Sequence, residues 1–419
     1  MLKFDKQETK GRTTVTALFD AGTFVEMGAF VRRRGEDQPY DAVITGYGSV
    51  NGKLAFAFVQ DSDRKAGALD EIGADKIQKL YAQALRVGAP VIGVFDSAGA
   101  VVYDGASALS AYGRVMALCS EASGVIPQIA LVSGSCTGMA ASIAAMFDLT
   151  VAEGEQVNDI TAVKAEDAVA AVRALVELLP RNNKDVNAID PTDDPGRPVA
   201  LEHGVDTIAD NAALTRIYEG IGEDVTAALT RMGGTTVGLI SLKGKLSVAG
   251  ARKAARLVSF CDSFSIPVVT LVDSEGPDND EPGFPLAYGK LAKAYATATT
   301  AKVTAVVGKA YGAAFTLMGS RALGADLALA LEGSVISVLA PETAVAFAMN
   351  DKITAEVSRA DVEAEWRETY ASPLAAAESG DIDDVIPEAE LRARIISALY
   401  MLAEKADGIP DRKHGVPTL

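Results

Sequence analysis

The sequence is poor in the residue types on which several common classes of site depend. Its 419 residues include three cysteines, two histidines and one tryptophan. Cys119, Cys136 and Cys261 lie far apart and form no Cys-x-x-Cys pair, which argues against a zinc ribbon or a thioredoxin-like redox pair. A sparse, odd number of cysteines is typical of a reducing compartment, so a cytoplasmic location is expected.

Long apolar runs and excess basic charge are also lacking. The opening stretch MLKFDKQETK has no signal-peptide-like apolar run, and the longest apolar stretch, around residues 136–147, is too short to span a bilayer. The chain carries 39 basic and 56 acidic residues, a net charge of −17. Such a surface repels phosphate backbones and anionic lipid, so neither nucleic acid nor membrane insertion is expected.

What remains is an ordinary globular composition with 49% hydrophobic and 23% charged residues. The length exceeds the roughly 250–300 residues at which a single core usually divides, which predicts two domains.

An internal repeat supports that division. Residues 89–100 (APVIGVFDSAGA) and 266–277 (IPVVTLVDSEGP) are both apolar runs of strand length that end in Asp-Ser-x-Gly. A helical pattern precedes each run. The apolar positions of these two patterns are Ile77, Leu80, Tyr81, Ala84 and Leu85 in the first half, and Ala254, Leu257, Val258 and Cys261 in the second.

The repeat continues on both sides of these runs. Residues 49–61 correspond to 231–244, a glycine turn and a strand, and residues 127–142 correspond to 301–316, a strand, a glycine turn and a small-residue helix. Apolar strands alternating with helices predict an α/β fold with covered sheets. The Pro-, Asn- and Asp-rich composition of segment 178–198 indicates a loop or linker. We therefore expect domains at 1–185 and 201–419, joined by residues 186–200.

Small residues follow the strands at four corresponding places. Glycine and alanine leave backbone N–H groups open to a ligand, and a pair of such groups can stabilise the oxyanion of an enolate or a tetrahedral species. Close packing of strand against helix also favours glycine and alanine, and a duplicated fold would repeat that packing. The four segments are Ser97–Ala100, Gly134–Gly138, Ser274–Gly276 and Gly308–Ala314.

Several long stretches, in order along nearly the whole chain, resemble the carboxyltransferase subunits of biotin-dependent acyl-CoA carboxylases and the related decarboxylases (propionyl-CoA carboxylase beta and glutaconyl-CoA decarboxylase alpha types). These stretches are VITGYGSVNGKLAFAFVQD (43–61), VGAPVIGVFDSAGA (87–100), ASGVIPQIALVSGSCTGMAA (122–141), GARKAARLVSFCDSFSIPVVTLVD (250–273), KVTAVVGKAYGAAFTLMGS (302–320) and SPLAAAESGDIDDVI (372–386).

The resemblance implies two tandem crotonase-like domains built from repeated ββα units. It implies that acyl-CoA lies on the N-terminal domain of one protomer, and that biotin, carried on a partner protein, lies on the C-terminal domain of another. Two backbone oxyanion sites then act in sequence, without a metal. The implied partners are a biotin carboxyl carrier protein and a biotin carboxylase or decarboxylase subunit, and the expected assembly is a homo-oligomer, either a dimer or a trimer of dimers.

The same resemblance implies the site residues. Ala98, Gly99 and Ala100 stand where the family has its first Gly-Gly-Ala, and Gly312, Ala313 and Ala314 stand at the second. Gly134, Cys136 and Gly138 match the turn that faces the first site, and Tyr311 precedes the second, so these four are assigned to substrate binding.

The chain departs from the family at these motifs. Asp-Ser-Gly-Gly-Ala-Arg is replaced by DSAGAV at residues 96–101, which removes one glycine and the arginine, and Ala313 replaces another glycine. The loop after the second-half strand, residues 274–281, is rich in acids, which would repel an anionic ligand. The segment after Val151 is shortened to an acidic stretch, residues 152–167, so the CoA site is expected to be reduced.

Other chemistries have less support. A serine hydrolase needs Ser, His and Asp together, and His203 and His414 are both expected at the surface. A hydratase needs paired glutamates, for which Glu275 and Glu342 are candidates by position alone. Cys136 follows a glycine turn, but no histidine lies near it in sequence. Two functions stay open: an active carboxyltransferase subunit of a carboxylase or a decarboxylase complex, or a non-catalytic paralogue that pairs with an active chain.

Overall fold

The computed structural model describes residues 8–32, 41–153, 163–186, 189–408, 410 and 416. The chain divides into two compact units, Met1–Val186 with Ile217–Glu219, and Asn187–Arg216 with Gly220–Leu419.

The first unit is a sheet covered by helices. Its strands form the order β1-β2-β3-β4-β5-β6-β7, antiparallel over β1–β3 and parallel from β3 onward. The described strands are β1 (Val25–Met27), β2 (Val43–Val50), β3 (Lys53–Gln60), β4 (Val91–Ser97), β5 (Gln128–Cys136), β6 (Leu149–Glu153) and β7 (Val163–Ala165). The described helices are α1 (Lys10–Leu18), α2 (Glu71–Val87), α3 (Ala106–Ala122), α4 (Met139–Met146) and α5 (Ala168–Leu178).

The second unit repeats this design. Its sheet runs β15-β13-β12-β11-β10-β9-β8, and β14 pairs with β12 off that path. The described strands are β8 (Leu214–Arg216), β9 (Val225–Met232), β10 (Thr235–Leu246), β11 (Val268–Pro277), β12 (Lys302–Tyr311), β13 (Leu327–Leu331), β14 (Val335–Ser337) and β15 (Asp384–Ile386). The described helices are α6 (Val248–Ser263), α7 (Phe284–Thr297), α8 (Ala313–Leu317), α9 (Pro341–Ala348), α10 (Arg359–Tyr370), α11 (Pro373–Glu378) and α12 (Leu391–Met401).

Corresponding helices in the two units begin on side-chain caps. Asp70 accepts a hydrogen bond from the Gly73 N–H at the start of α2, and Ser247 accepts one from the Gly250 N–H at the start of α6, both at 2.9 Å. The helix α2 ends at Val87 and is capped by Gly88, whose φ of +66° suits glycine. The apolar positions predicted for these helices are buried, apart from Leu85, which is half-buried.

Each unit has its own apolar core. In the first, Phe58, Phe95 and Phe147 meet edge to face, with ring centroids 5.6–6.3 Å apart, which is a favoured geometry for aromatic rings. In the second, Leu391, Ile395 and Leu399 of α12 pack against residues of the sheet. No helix among the described residues is long and apolar enough to cross a bilayer.

Candidate active site

The first candidate turn follows β4, and its hydrogen bonds separate the three predicted donors. The Ala98 N–H donates to the Ala66 carbonyl at 2.9 Å, and the Gly99 N–H donates to Ser97 Oγ at 3.1 Å. Within the described residues the Ala100 N–H has no hydrogen-bond partner. Of the three backbone donors, Ala100 therefore has the N–H that is open to a ligand.

The family glycine that this turn lacks is at position 98, where the backbone conformation does not require glycine. Ala98 has a negative φ, whereas Gly99 has a φ of +112°, a region that disfavours any residue with a Cβ. The change from Gly-Gly-Ala to Ala-Gly-Ala therefore keeps the glycine that the turn requires.

The end of β5 lies next to this turn. Ser97 pairs with Cys136 across the parallel strands β4 and β5. Gly138, with a φ of +56° and open space where a Cβ would project, precedes α4. Met139 is the first residue of α4, so its N–H has no partner within the helix. The turn carrying Ala100 and the start of α4 thus lie beside each other, each with a backbone donor.

Asp96, at the end of β4, forms a hydrogen bond to the end of β5. Its carboxylate accepts the Ser135 N–H at 3.0 Å, the Ser62 hydroxyl at 2.6 Å and the Lys10 ammonium at 2.7 Å. Burial raises the pKa of Asp96, but the hydrogen bonds from Lys10 and Ser62 outweigh burial and leave the pKa below its usual value. A Cβ at Gly134 would overlap this carboxylate, so contact with Asp96 accounts for that glycine without a ligand.

The second unit repeats this geometry. The Gly276 N–H donates to Ser274 Oγ at 3.1 Å, and Gly276 has a φ of +114°. Asp273 accepts the Lys309 N–H at 2.9 Å, and a Cβ at Gly308 would overlap its carboxylate. In both halves the Asp-Ser-x-Gly motif therefore has one role: Asp holds the neighbouring strand end, and Ser holds the glycine turn. Sequence reasoning noted this motif but did not assign those roles.

The turn ending in Ala100 and the turn ending in Pro277 differ in one backbone N–H group. Pro277 occupies the position that corresponds to Ala100 and has no N–H.

The open donors of the second unit lie after β12, at the start of α8. The Gly312 N–H donates to the Ser337 carbonyl at 2.9 Å, whereas no partner is found within the described residues for the N–H groups of Ala313 and Ala314. Ala313 has a negative φ, so the residue that replaces a family glycine fits there without strain. The open donors in the second unit are those of Ala313 and Ala314.

Two of the predicted substrate-binding residues are half-buried. Burial raises the pKa of the Cys136 thiol to about 11, so it stays protonated at neutral pH and is a poor nucleophile. Burial also raises the pKa of the Tyr311 phenol.

Acidic residues around the second turn are partly neutralised. Glu275 pairs with Lys309 at 3.0 Å, and Glu281 accepts the Val248 N–H at 2.6 Å at the start of α6. The other candidate glutamate, Glu342, pairs with Arg367 at 3.0 Å. Glu275 and Glu342 thus belong to two separate, solvent-exposed ion pairs.

A cavity of about 580 Å³ lies on the second unit and includes Asp273. Its charged lining is mostly acidic, with Lys243 among the carboxylates, so it is unsuited to an anionic ligand such as CoA. The lining residues are Leu201–Val205, Glu223, Asp224, Thr226, Ser241–Lys243, Leu271, Asp273, Val307 and Glu388.

Among the described residues, the other candidate groups do not assemble into a side-chain catalyst. His203 is 72% exposed and lies 3.7 Å from Glu202, and His414 falls outside the described residues. In the part of the chain that the structure describes, no group of three His, Cys, Asp or Glu residues is placed to hold a metal ion. What each unit offers at its strand ends is open backbone N–H groups.

The sequence of this chain is similar to those of known proteins. The family model of the carboxyl transferase domain matches residues 6–158 and 153–417. The carboxyltransferase subunit of propionyl-CoA carboxylase from Haloferax mediterranei is 32% identical over 98% of this chain and 93% of its own length. The alpha subunit of methylmalonyl-CoA decarboxylase from Propionigenium modestum is 32% identical over 99% of this chain and 94% of its own length.

The solved structure of transcarboxylase 12S, a hexamer described with hydrolysed methylmalonyl-CoA bound, matches with a TM-score of 0.91 and 29% identity over 98% of this chain and 92% of its own. This match confirms the predicted fold, two tandem crotonase-like domains. The alignment to the Haloferax subunit spans 482 positions, more than the 419 residues of this chain, so that relative has segments that this chain lacks. The family model matches in two segments that overlap at residues 153–158, within the stretch predicted to be shortened.

Proposed function

Because the chain belongs to the carboxyl transferase family, as a carboxyltransferase subunit of the acyl-CoA carboxylase type, we propose that it transfers the carboxyl group with two sets of backbone N–H donors. The first set is Ala100 with Met139, and the second is Ala313 with Ala314. The observation that carries this proposal is that each set contains backbone donors with no partner among the described residues, at strand ends held together by the aspartate of an Asp-Ser-x-Gly motif.

The first set suits the thioester of a short-chain acyl-CoA. In the carboxylating direction the α-carbon loses a proton, and negative charge moves onto the thioester oxygen. The Ala100 and Met139 N–H groups would donate to that oxygen, and they stabilise the enolate more than the neutral thioester because its charge is greater. The effect is electrostatic and needs no covalent bond to the protein.

The second set suits the ureido oxygen of biotin, which the family carries on a partner protein. Carboxybiotin supplies the carboxyl group and a ring nitrogen that can accept the substrate proton. The Ala313 and Ala314 N–H groups would donate to the ureido oxygen and hold the ring in position. The ammonium of Lys309 adds no free positive charge there, since it is paired with Glu275.

We further propose that the first unit is the acyl-CoA side and the second the biotin side, with the division near the predicted linker at 186–200. Partner chains would supply a biotin carrier and either a biotin carboxylase or a decarboxylase subunit. A homo-oligomer is expected, and the transcarboxylase 12S hexamer supports it by analogy.

A non-catalytic paralogue is the second candidate, and the shortened segment after Val151 favours it. The conformations of Ala98 and Ala313 count against it, because both residues that replace family glycines have negative φ and leave the turns intact. Co-purification with an intact carboxyltransferase chain would support the paralogue.

The test is biotin-dependent decarboxylation. The purified chain is offered malonyl-, methylmalonyl- and glutaconyl-CoA in the presence of biocytin. Release of CO₂ that requires both biocytin and protein is expected with at least one thioester. No release with any of them, from a folded oligomer, would refute the catalytic function.

A further inference from the structure

The first turn lies against a loop that has no counterpart in the second unit. This loop, residues 61–70, joins β3 to α2. In the second unit β10 continues as a strand to Leu246, which pairs with Pro277, and Ser247 then caps α6 directly. The turn of the first unit is therefore bordered by a loop, and that of the second unit by a strand.

Backbone hydrogen bonds join the 61–70 loop to the first turn. The Ala66 carbonyl accepts the Ala98 N–H at 2.9 Å, and the Leu69 N–H donates to the Gly99 carbonyl at 3.0 Å. Because these bonds fix the two residues before Ala100, the position of the loop determines where the Ala100 N–H points.

The backbone of the loop is strained at this contact. Lys65, Ala66 and Gly67 have φ values of +45°, +51° and +67°. That region suits glycine and disfavours lysine and alanine, which have a Cβ. A Cβ at Gly67 would overlap the Asp96 carbonyl oxygen, so the loop lies directly against β4. Strained backbone of this kind persists only where other contacts hold it.

The Lys65 ammonium supplies two such contacts. It lies 3.1 Å from Asp70 Oδ2, at the start of α2, and 3.7 Å from Asp41 Oδ1, just before β2. Both carboxylates are buried, with side chains 1% and 2% exposed. Removing one partner of a buried ion pair leaves a buried charge without compensation, so these contacts resist displacement of the loop.

The two carboxylates need a cation between them. Burial raises the pKa of Asp41, and the neighbouring Asp70 raises it further, whereas the ammonium groups of Lys76 and Lys65 oppose that rise. Lys76 belongs to α2 and donates to the Val43 carbonyl, so Lys65 is the member of this group that belongs to the loop.

We propose that Lys65 is a positioning residue for the first oxyanion site. Its ammonium, held by Asp41 and Asp70, fixes the strained loop, and the loop directs the turn so that the Ala100 N–H faces the thioester oxygen. The inference rests on the proposed function for its effect on catalysis. The coupling of the loop to the turn rests on the contacts alone.

The first test does not depend on activity. Hydrogen–deuterium exchange, read at single amides, follows the N–H groups of Ala98 and Leu69. In Lys65→Met both should exchange at least about ten-fold faster than in the wild-type chain, and in Lys65→Arg, which keeps a cation, both should stay within about two-fold. Unchanged exchange in a folded Lys65→Met, or faster exchange at Leu69 alone, would overturn the coupling.

The second test is kinetic. In the biocytin-dependent decarboxylation, Lys65→Met should lower kcat about ten-fold and leave KM for the thioester within about two-fold, because a displaced donor weakens the transition state more than the bound thioester. Lys65→Arg should recover most of this loss. A raised KM with unchanged kcat would mean that the ammonium binds the thioester itself, and would contradict the positioning role.

Lys53→Met is the matched control. The Lys53 ammonium lies at the start of β3, the end opposite to the loop, and donates to the Glu177 and Leu179 carbonyls at 2.7 and 2.9 Å. This variant should lose stability towards urea and keep both kcat and the exchange rate at Ala98. If it lowers kcat as much as Lys65→Met does, or if Lys65→Met leaves kcat unchanged, the positioning role is refuted. An inactive wild-type chain would refute the proposed function and leave the coupling to be decided by the exchange rates.

Discussion

Replacing Ala100 by proline removes one N–H and little else. The neighbouring contacts with Leu69 use other atoms: the Leu69 N–H donates to the Gly99 carbonyl at 3.0 Å, and the Val101 N–H donates to the Leu69 carbonyl at 3.4 Å. The substitution therefore breaks no internal hydrogen bond.

The second unit shows that the turn accepts proline. Pro277 follows Gly276, whose φ of +114° matches the +112° of Gly99 before Ala100. A proline whose backbone already suits the site changes stability by about 1 kcal/mol or less. Ala100→Pro should thus fold normally.

The expected effect is on the rate. Losing one oxyanion donor lowers kcat by about 10²–10³, or about 2.7–4 kcal/mol of transition-state stabilisation. Because the neutral thioester gains less from the donor than the enolate does, KM should change far less than kcat. Biocytin-dependent decarboxylation of the best thioester measures both constants.

Two variants serve as controls. Ala100→Gly keeps the N–H and should keep most of the activity, whereas Pro277→Ala adds an N–H at the corresponding place and should have little effect. If Ala100→Pro is folded and its kcat stays within about two-fold of wild type, the Ala100 N–H is not an oxyanion donor.

Three further predictions concern other parts of the molecule. Ala313→Pro, at the first position of α8 where proline is tolerated, should fold and slow carboxyl transfer by about 10²-fold, measured with biocytin at saturating thioester; unchanged transfer would exclude that donor. Since the pKa of Asp96 lies below its usual value, the Lys10 pair stabilises the fold above about pH 4 and this contribution is lost as pH falls; Lys10→Met should move the acid-unfolding midpoint, followed by circular dichroism, to higher pH, and an unmoved midpoint would refute the pairing. Arg392 is fully buried against Asp210, so Arg392→Met should lower the free energy of unfolding in urea by about 3–5 kcal/mol, and a loss below about 1 kcal/mol would mean that the pair is not buried in solution.

Much of the fold could be predicted from the sequence, because the internal repeat predicts the same order of strands and helices in both halves. The helical positions before each strand, the apolar strands that carry Asp96 and Asp273, and the α/β class all follow from periodicity and from the paired motifs. The resemblance to carboxyltransferase subunits then gave the family and its function.

The individual donors could not be predicted in this way. All three residues of 98–100 carry an N–H, and only the folded chain brings the Ala66 carbonyl to Ala98 and Ser97 Oγ to Gly99. The requirement for Gly134 and Gly308 likewise depends on carboxylates distant in sequence.

The most direct measurement follows the carboxyl group itself. Methylmalonyl-CoA labelled in the free carboxyl is incubated with the wild-type chain and biocytin, and biocytin is isolated under cold, alkaline conditions. In this direction the carbon–carbon bond to the carboxyl breaks, a nitrogen–carbon bond forms on biocytin, and the displaced ring proton passes to propionyl-CoA. The proposed function predicts label on biocytin in step with propionyl-CoA formed; propionyl-CoA without labelled biocytin, or neither product with any carboxylated thioester, would contradict it.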